Sequence, residues 1–292
     1  MAEHSENEQE QEENEPKGIV FKLPHMEQVN MRKDLTYKTA DDLELKMDIY
    51  YPADFQSGSQ RPAVIFIHGD APPSYLRDIK NSEQYTGWGQ LTAASGLIAV
   101  TFNHRSSQNL TRVYEVAGDI DDLIKHIRDN GTSLGIDINT LCLWVCSAGG
   151  PFGLRAAMGE NTGFVKCIVS YYAFMDLKPY YDAVMESEER TPEQRASQLS
   201  RKDLEEFSAI HHLQGRAKEI APILIARAGL DYPELNKTVD DFIVEALSQN
   251  ACIDLMNHPE GQHGFDTRDD NARSREIIKA TLEFMRTHLS AQ

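Results

Sequence analysis

The sequence predicts an α/β fold in which a mostly parallel central sheet of about eight strands is flanked by helices. The first observation is a set of short, nearly continuous apolar runs, as expected of strands buried on both faces. The second is that segments with apolar residues at helical spacing separate these runs. Such alternation is typical of βαβ units, and 292 residues with a 40% hydrophobic share suffice for one large domain.

The predicted elements follow in chain order from residue 34. Residues 35–37 and 43–51 alternate apolar and polar side chains across an Asp-Asp turn, which predicts an antiparallel hairpin with one solvated face. The buried strands are predicted at 63–67, 97–102, 140–145, 167–173 and 223–226, with a further apolar run at 252–258. The helices are predicted at about 84–95, 113–130, 149–159, 235–249 and 271–289.

Two segments depart from this alternation. Residues 177–219 contain many charges and no buried-strand run, and because a structureless loop of that length is unusual in a compact domain, we predict a helical cap insertion. Residues 1–17 contain seven Glu and one Lys, a composition typical of a solvated, disordered tail. The α/β domain is therefore predicted to span 18–292.

The charge and the apolar content exclude some classes of protein. The formal net charge of −17 argues against nucleic-acid binding, which needs clustered Lys and Arg. No run of about 18 apolar residues occurs, as a membrane-spanning helix would need. The first residues are polar and acidic, whereas a secretory signal would be basic and then apolar. We expect a soluble, cytoplasmic protein without membrane attachment. The four cysteines have no metal-ligand spacing, and nothing indicates a metal or an organic cofactor.

The most informative motif follows the predicted strand 140–145. It reads Cys146-Ser147-Ala148-Gly149-Gly150-Pro151 and leads directly into a predicted helix. Small residues allow a sharp turn that exposes the Ser hydroxyl above the sheet, and the N-terminus of the following helix directs N–H groups at developing negative charge. This layout is typical of a nucleophile elbow.

Here the sequence resembles the α/β-hydrolase superfamily, in particular carboxylesterases and dienelactone-hydrolase-like enzymes, over roughly residues 34–289. The resemblance implies that Ser147 is the nucleophile and that the N–H of Ala148 supplies half of the oxyanion hole. The family usually has Gly where Val145 stands, so either the elbow is slightly opened or the neighbouring strand leaves room. Cys146 is the alternative nucleophile, but that choice would place Trp144 at a small-residue position.

The resemblance also implies a base and an acid. His263 lies in a Gly-rich turn after the run 252–258, where the superfamily places its catalytic His, and His258 is the weaker candidate. Asp231 follows the buried run 223–226, where the superfamily carries its acid. Asp176 and Asp266 are the alternatives for the acid.

The oxyanion hole and the substrate pocket complete the predicted site. His68-Gly69-Asp70 stands where related esterases have His-Gly-Gly, so the N–H of Gly69 or Asp70 would join that of Ala148. We expect the Asp70 carboxylate to point away from the oxyanion or to bind a hydroxyl or amine of the substrate. Tyr172 and Tyr180 are candidates for the substrate pocket, with core packing as the alternative.

These residues predict a serine hydrolase that cleaves small carboxylic esters through an acyl-enzyme, with a small-molecule ester as its partner and no cofactor. The same fold also supports amide or peptide hydrolysis, or a non-catalytic binding function. The discriminating feature is whether His263 reaches Ser147. The sequence contains no signal for the oligomeric state.

Overall fold

The chain folds around one sheet of eight strands. The computed structural model describes residues 18–40, 42–187, 191 and 198–290. The strand order is β1-β2-β4-β3-β5-β6-β7-β8. The strands are β1 (Asn30–Ala40), β2 (Leu43–Tyr51), β3 (Arg61–Ile67), β4 (Ile98–Phe102), β5 (Ile136–Cys146), β6 (Val165–Tyr171), β7 (Ile223–Ala228) and β8 (Ile253–His258). Strands β3 to β8 pair in parallel, whereas β2 pairs antiparallel with β1 and β4. The predicted fold class is confirmed, and the proposed tail 1–17 lies outside the described residues.

Helices connect the parallel strands, as the alternating pattern predicts. They are α1 (Pro73–Leu76), α2 (Glu83–Ala94), α3 (Val113–Leu134), α4 (Gly150–Met158), α5 (Leu177–Glu186), α6 (Arg201–Glu206), α7 (Ala209–Leu213), α8 (Pro233–Ser248), α9 (Phe265–Arg268) and α10 (Ala272–Leu289). Short 3₁₀ turns occur at Met26–Gln28, Ile79–Asn81 and Ser147–Gly149. No helix in the described ranges is long and apolar enough to cross a membrane.

The sheet separates two apolar layers, which explains the continuous apolar runs of its strands. In β3, Ile65 and Ile67 face the layer formed with α3, α4 and α8. Val64 and Phe66 face the layer formed with α2 and α10. Because side chains alternate along a strand, a strand covered on both faces must be apolar at every position. This double burial holds the carboxyl ends of β3, β5, β7 and β8 in fixed relative positions.

The described part of segment 177–219 is helical, comprising α5, α6 and α7. It packs against α4 through the rings of Phe207 and Phe152, whose centroids lie 5.5 Å apart, and through an ion pair between Arg155 and Glu206 at 2.9 Å. Residues 188–190 and 192–197 of this segment lie outside the described residues. Its role as a cap stays a prediction.

Candidate active site

The turn after β5 has the backbone of a nucleophile elbow. Ser147 has a φ of 51°, a left-handed conformation that costs free energy for a non-glycine residue. The 3₁₀ turn Ser147–Gly149 follows, and α4 begins at Gly150. The reversal brings Ser147 to the carboxyl end of the strand, where it lines a cavity of about 180 Å³ together with His263.

The two glycines of the motif allow neighbouring backbone segments to approach the elbow. A Cβ atom at Gly149 would lie 2.1 Å from the carbonyl oxygen of His68, and one at Gly150 would lie 2.2 Å from that of Phe174. The N–H of Phe174 in turn donates to the Ser147 carbonyl at 3.1 Å. Because backbone atoms cannot move aside as a flexible side chain can, these positions require glycine.

Val145 fits because a glycine on α4 faces it. The Val145 side chain is fully buried, and a Cβ atom at Gly153 would lie 2.3 Å from its Cγ1 and 3.0 Å from Cδ1 of Ile67. The Val145 side chain therefore occupies the space that a side chain at position 153 would need. Room is indeed left for Val145, but a helix provides it and not the neighbouring strand.

A continuous hydrogen-bonded relay joins three residues that are distant in sequence. His263 Nε2 lies 3.0 Å from Ser147 Oγ. His263 Nδ1 lies 2.9 Å from Oδ1 and 2.8 Å from Oδ2 of Asp231. The Asp231 carboxylate is fully buried and also accepts the N–H of Tyr232 at 2.7 Å. In this arrangement Nδ1–H donates to the carboxylate, which leaves Nε2 free to accept the serine proton.

Hydrogen bonds between the loops after β7 and β8 fix the acid relative to the base. The N–H of Leu230 donates to the Gly261 carbonyl at 2.9 Å, and that of Gly229 donates to the His258 carbonyl at 2.8 Å. The His258 ring lies buried with Nε2 3.1 Å from Ser274 Oγ. His258 thus lies outside the relay and supports the loop that carries His263.

The two alternative acids have other partners. Asp176 caps α5 by accepting the N–H of Lys178 at 2.9 Å. Asp266 is fully buried and accepts hydrogen bonds from the side chains of Tyr172 (2.6 Å), Trp88 (2.8 Å) and Gln84 (3.1 Å). Of the three candidates, only Asp231 is hydrogen-bonded to the His263 ring.

Cys146 faces the core beside the elbow. It is 3% exposed, and its Sγ lies 3.2 Å from the Tyr85 hydroxyl. Burial raises the pKa of this thiol to about 12. A thiol is a weak nucleophile compared with its thiolate, so Cys146 is unsuited to attack a substrate near neutral pH.

The His68-Gly69-Asp70 loop packs directly against the elbow. A Cβ atom at Gly69 would lie 3.1 Å from Cβ of Ser147 and 3.8 Å from the Ala148 nitrogen. Gly69 therefore leaves room for the Ser147 side chain, and the N–H of Gly69 or of Asp70 is the candidate to join that of Ala148 in an oxyanion hole.

The Asp70 side chain is engaged away from the elbow. Its Oδ1 accepts the N–H groups of Ala71 and Ser107, each at 3.0 Å, and its Oδ2 accepts the Ser107 hydroxyl. These contacts agree with the first of the two expectations for this carboxylate. The sequence offered no signal for Ser107 as the partner.

His68 organises the loop as a neutral imidazole. Its Nδ1 lies 2.7 Å from the Gly69 carbonyl oxygen, and its Nε2 accepts the His104 N–H at 3.1 Å. The two imidazole rings stack with centroids 3.6 Å apart. Burial, followed by the neighbouring His104, holds the pKa of His68 well below its usual value.

The two tyrosines predicted for the substrate pocket lie in adjoining spaces. Tyr172 lines the cavity that holds Ser147, with its ring centroid 4.8 Å from that of His263. Tyr180 stacks on Phe174 at 5.4 Å and lines a neighbouring groove of about 600 Å³. The cavity and the groove share Asp70 and Ala71, so they adjoin.

Fold and relay together define a class of protein: an α/β-hydrolase fold that presents a serine, a histidine and an aspartate at the carboxyl edge of its sheet. A family model described as BD-FAE matches residues 47–231, more than half of the chain. The chain belongs to the BD-FAE family. A comparison with curated protein sequences found no significant match.

Solved structures of an esterase from the planctomycete Thermogutta terrifontis resemble the chain throughout its fold. Native esterase 2 has a TM-score of 0.67 at 20% identity, covering 92% of this chain and 96% of its own. Its butyrate-bound form has a TM-score of 0.67 at 19% identity, covering 92% and 98%. The form phosphorylated by paraoxon has a TM-score of 0.66 at 19% identity, covering 93% and 100%. This similarity confirms the predicted α/β-hydrolase fold.

Proposed function

We propose that the protein is a serine hydrolase that cleaves small carboxylic esters through an acyl-enzyme. The observation that supports this proposal most directly is the relay, in which Ser147 Oγ lies 3.0 Å from His263 Nε2 and His263 Nδ1 lies 2.8 Å from Asp231 Oδ2. The structurally similar Thermogutta terrifontis esterase 2 supports an ester as the substrate, because it has been solved with butyrate bound and in a form phosphorylated by paraoxon.

Each relay residue has a defined role in the proposed mechanism. Ser147 Oγ attacks the ester carbonyl while its proton passes to His263 Nε2, and Asp231 stabilises the resulting imidazolium. The N–H of Ala148 and that of Gly69 or Asp70 bind the oxyanion. His263 then gives its proton to the departing alkoxide, leaving an acyl-serine. Water attacks the acyl-serine with its proton going to His263, and the acid leaves as Ser147 regains its proton.

The size of the cavity favours a small ester. A space of about 180 Å³ surrounds Ser147, whereas the adjoining groove beside Tyr180 measures about 600 Å³. We assign the selection of substrate size to the cap 177–219, which carries Tyr180 beside this groove. Four unpaired cysteines are compatible with a reducing compartment such as the cytoplasm.

The test uses a fluorophosphonate probe and p-nitrophenyl acetate. The probe should label Ser147, and Ser147→Ala should lose both labelling and hydrolysis. Cys146→Ala is the matched control, because it changes the adjacent residue, whose side chain faces the core, and it should retain both. Unchanged hydrolysis by Ser147→Ala would refute the assignment. Parallel assays with p-nitroacetanilide test the amide alternative.

A further inference from the structure

Arg268 stands at the cavity without an acidic partner among the described residues. It is exposed and lines the same cavity as Ser147 and His263. Its side chain folds back over the loop that carries His263, with Cδ 3.6 Å from the position of a Cβ atom on Gly264. Its Nη1 donates to the His263 carbonyl over 3.5 Å, a long and therefore weak hydrogen bond.

The carboxylates nearest to Arg268 in sequence have other partners. Asp269 accepts the backbone N–H of Gln262 at 2.8 Å and its side-chain amide at 3.1 Å. Asp270 pairs with Arg275. A shortage of acidic residues does not explain the missing partner, because the chain carries a net charge of −17. Arg268 is therefore exposed at this cavity without a carboxylate partner among the described residues, and an external acceptor can reach it.

The position of Arg268 determines which part of a substrate it meets. In the proposed mechanism His263 Nε2 gives its proton to the leaving oxygen, so the alcohol portion of the ester departs on the side of His263. The proposed oxyanion donors, Ala148 and either Gly69 or Asp70, lie on the elbow and on the loop after β3. Arg268, which contacts the His263 backbone, thus adjoins the alcohol portion.

We propose that Arg268 binds a carboxylate carried on the alcohol portion of the substrate, which makes short-chain acyl esters of hydroxy acids the preferred class. The proposal rests on the proposed esterase function. A guanidinium presents paired N–H donors that match the two oxygens of a carboxylate. The one carboxylate that lines this cavity among the described residues, Asp70, is engaged by Ser107 and leaves the positive charge of Arg268 available.

The test compares an anionic ester with its neutral counterpart. The substrates are 4-acetoxybenzoate and methyl 4-acetoxybenzoate, which share the acetyl group and the aromatic ring. In Arg268→Met, the ratio of kcat/KM for the anionic ester to that for the neutral ester should fall about tenfold, mainly through KM. Arg286→Met is the charge-matched control: Arg286 is exposed on α10 and lines a different groove, and the wild-type ratio should persist.

Ionic strength provides an independent readout. Because salt screens exposed charges, 0.5 M NaCl should lower the ratio in the wild-type protein and leave it nearly constant in Arg268→Met. Should that variant fold poorly, Arg268→Gln serves in its place. Hydrolysis of both esters with a ratio that the Arg268 variants do not change would overturn the inference and leave the esterase function standing. Hydrolysis of neither ester by the wild-type protein would refute the esterase function and this inference together.

Discussion

The volume shared by Val145 and Gly153 leads to a quantitative prediction about the elbow. In Gly153→Ala the added methyl would lie 2.3 Å from Cγ1 of Val145, an overlap that the core must relieve by moving. Overpacking of this kind costs about 1–3 kcal/mol. The better helix propensity of Ala returns about 1 kcal/mol. The single variant should therefore lose up to about 2 kcal/mol of the free energy of unfolding.

The complementary substitution should remove the conflict. Val145→Ala deletes two buried methyl groups and should cost about 2 kcal/mol from lost burial and the residual cavity. In the double variant, the methyl of residue 153 enters the vacated space. The loss should then be smaller than the sum of the single losses by about 1–2 kcal/mol.

The measurement is urea unfolding followed by fluorescence of the buried Trp88 and Trp144. Gly118→Ala is the matched control, because Gly118 lies within α3 and a Cβ atom there would meet only Lys38 Nζ, at 4.0 Å. That variant should be stabilised by up to about 1 kcal/mol. Additive losses in the Val145 and Gly153 pair, within about 0.5 kcal/mol, would refute the packing explanation.

Three further predictions concern the relay and the loop that supports it. Asp231→Asn should lower kcat for p-nitrophenyl acetate by about 10³- to 10⁴-fold, because the amide favours the wrong imidazole tautomer, while thermal unfolding stays within a few degrees; a loss below tenfold would contradict its role. Asp70→Asn should lower the free energy of unfolding by about 1–2 kcal/mol, since it weakens the contacts to Ser107, and an effect on KM alone would instead indicate that the carboxylate binds substrate. Burial lowers the pKa of His68 and of His104 in the folded protein, so each binds fewer protons folded than unfolded as the pH falls through 6.5. Stability should be present above about pH 6.5 and fall as the pH drops through it, by at most about 1.4 kcal/mol per histidine between pH 7.5 and 5.5, and a flat profile in urea titrations over that range would contradict this.

The fold could be predicted because its signals are local. Double burial leaves a continuous apolar run in each parallel strand, and the run 63–67 lies entirely within β3 (Arg61–Ile67). The strand ends were less accurate. The predicted strand 167–173 corresponds to Val165–Tyr171, because Tyr172 leaves the strand with a φ of 36° although its side chain stays buried. Apolar content cannot distinguish a buried turn from a buried strand.

The three relay residues could be located because chain order and the ends of strands constrain them. The structure places Ser147, Asp231 and His263 in one relay, as the resemblance implied, and their catalytic roles stay predictions for the experiments above. The supporting contacts could not be predicted. Tyr172 and Trp88 both donate to Asp266 from elements far apart in sequence, and only the tertiary fold brings them together.

The two departures from the family motif share a physical explanation. Val145 is bulky where a small residue is usual, and the absence of a side chain at Gly153 provides its space. Asp70 is charged where glycine is usual, and three hydrogen bonds from its own loop and from Ser107 hold its carboxylate. In each case a residue that breaks a local rule is matched by a partner in another element. A motif read alone would therefore count both residues against catalysis, whereas their surroundings leave the relay geometry intact.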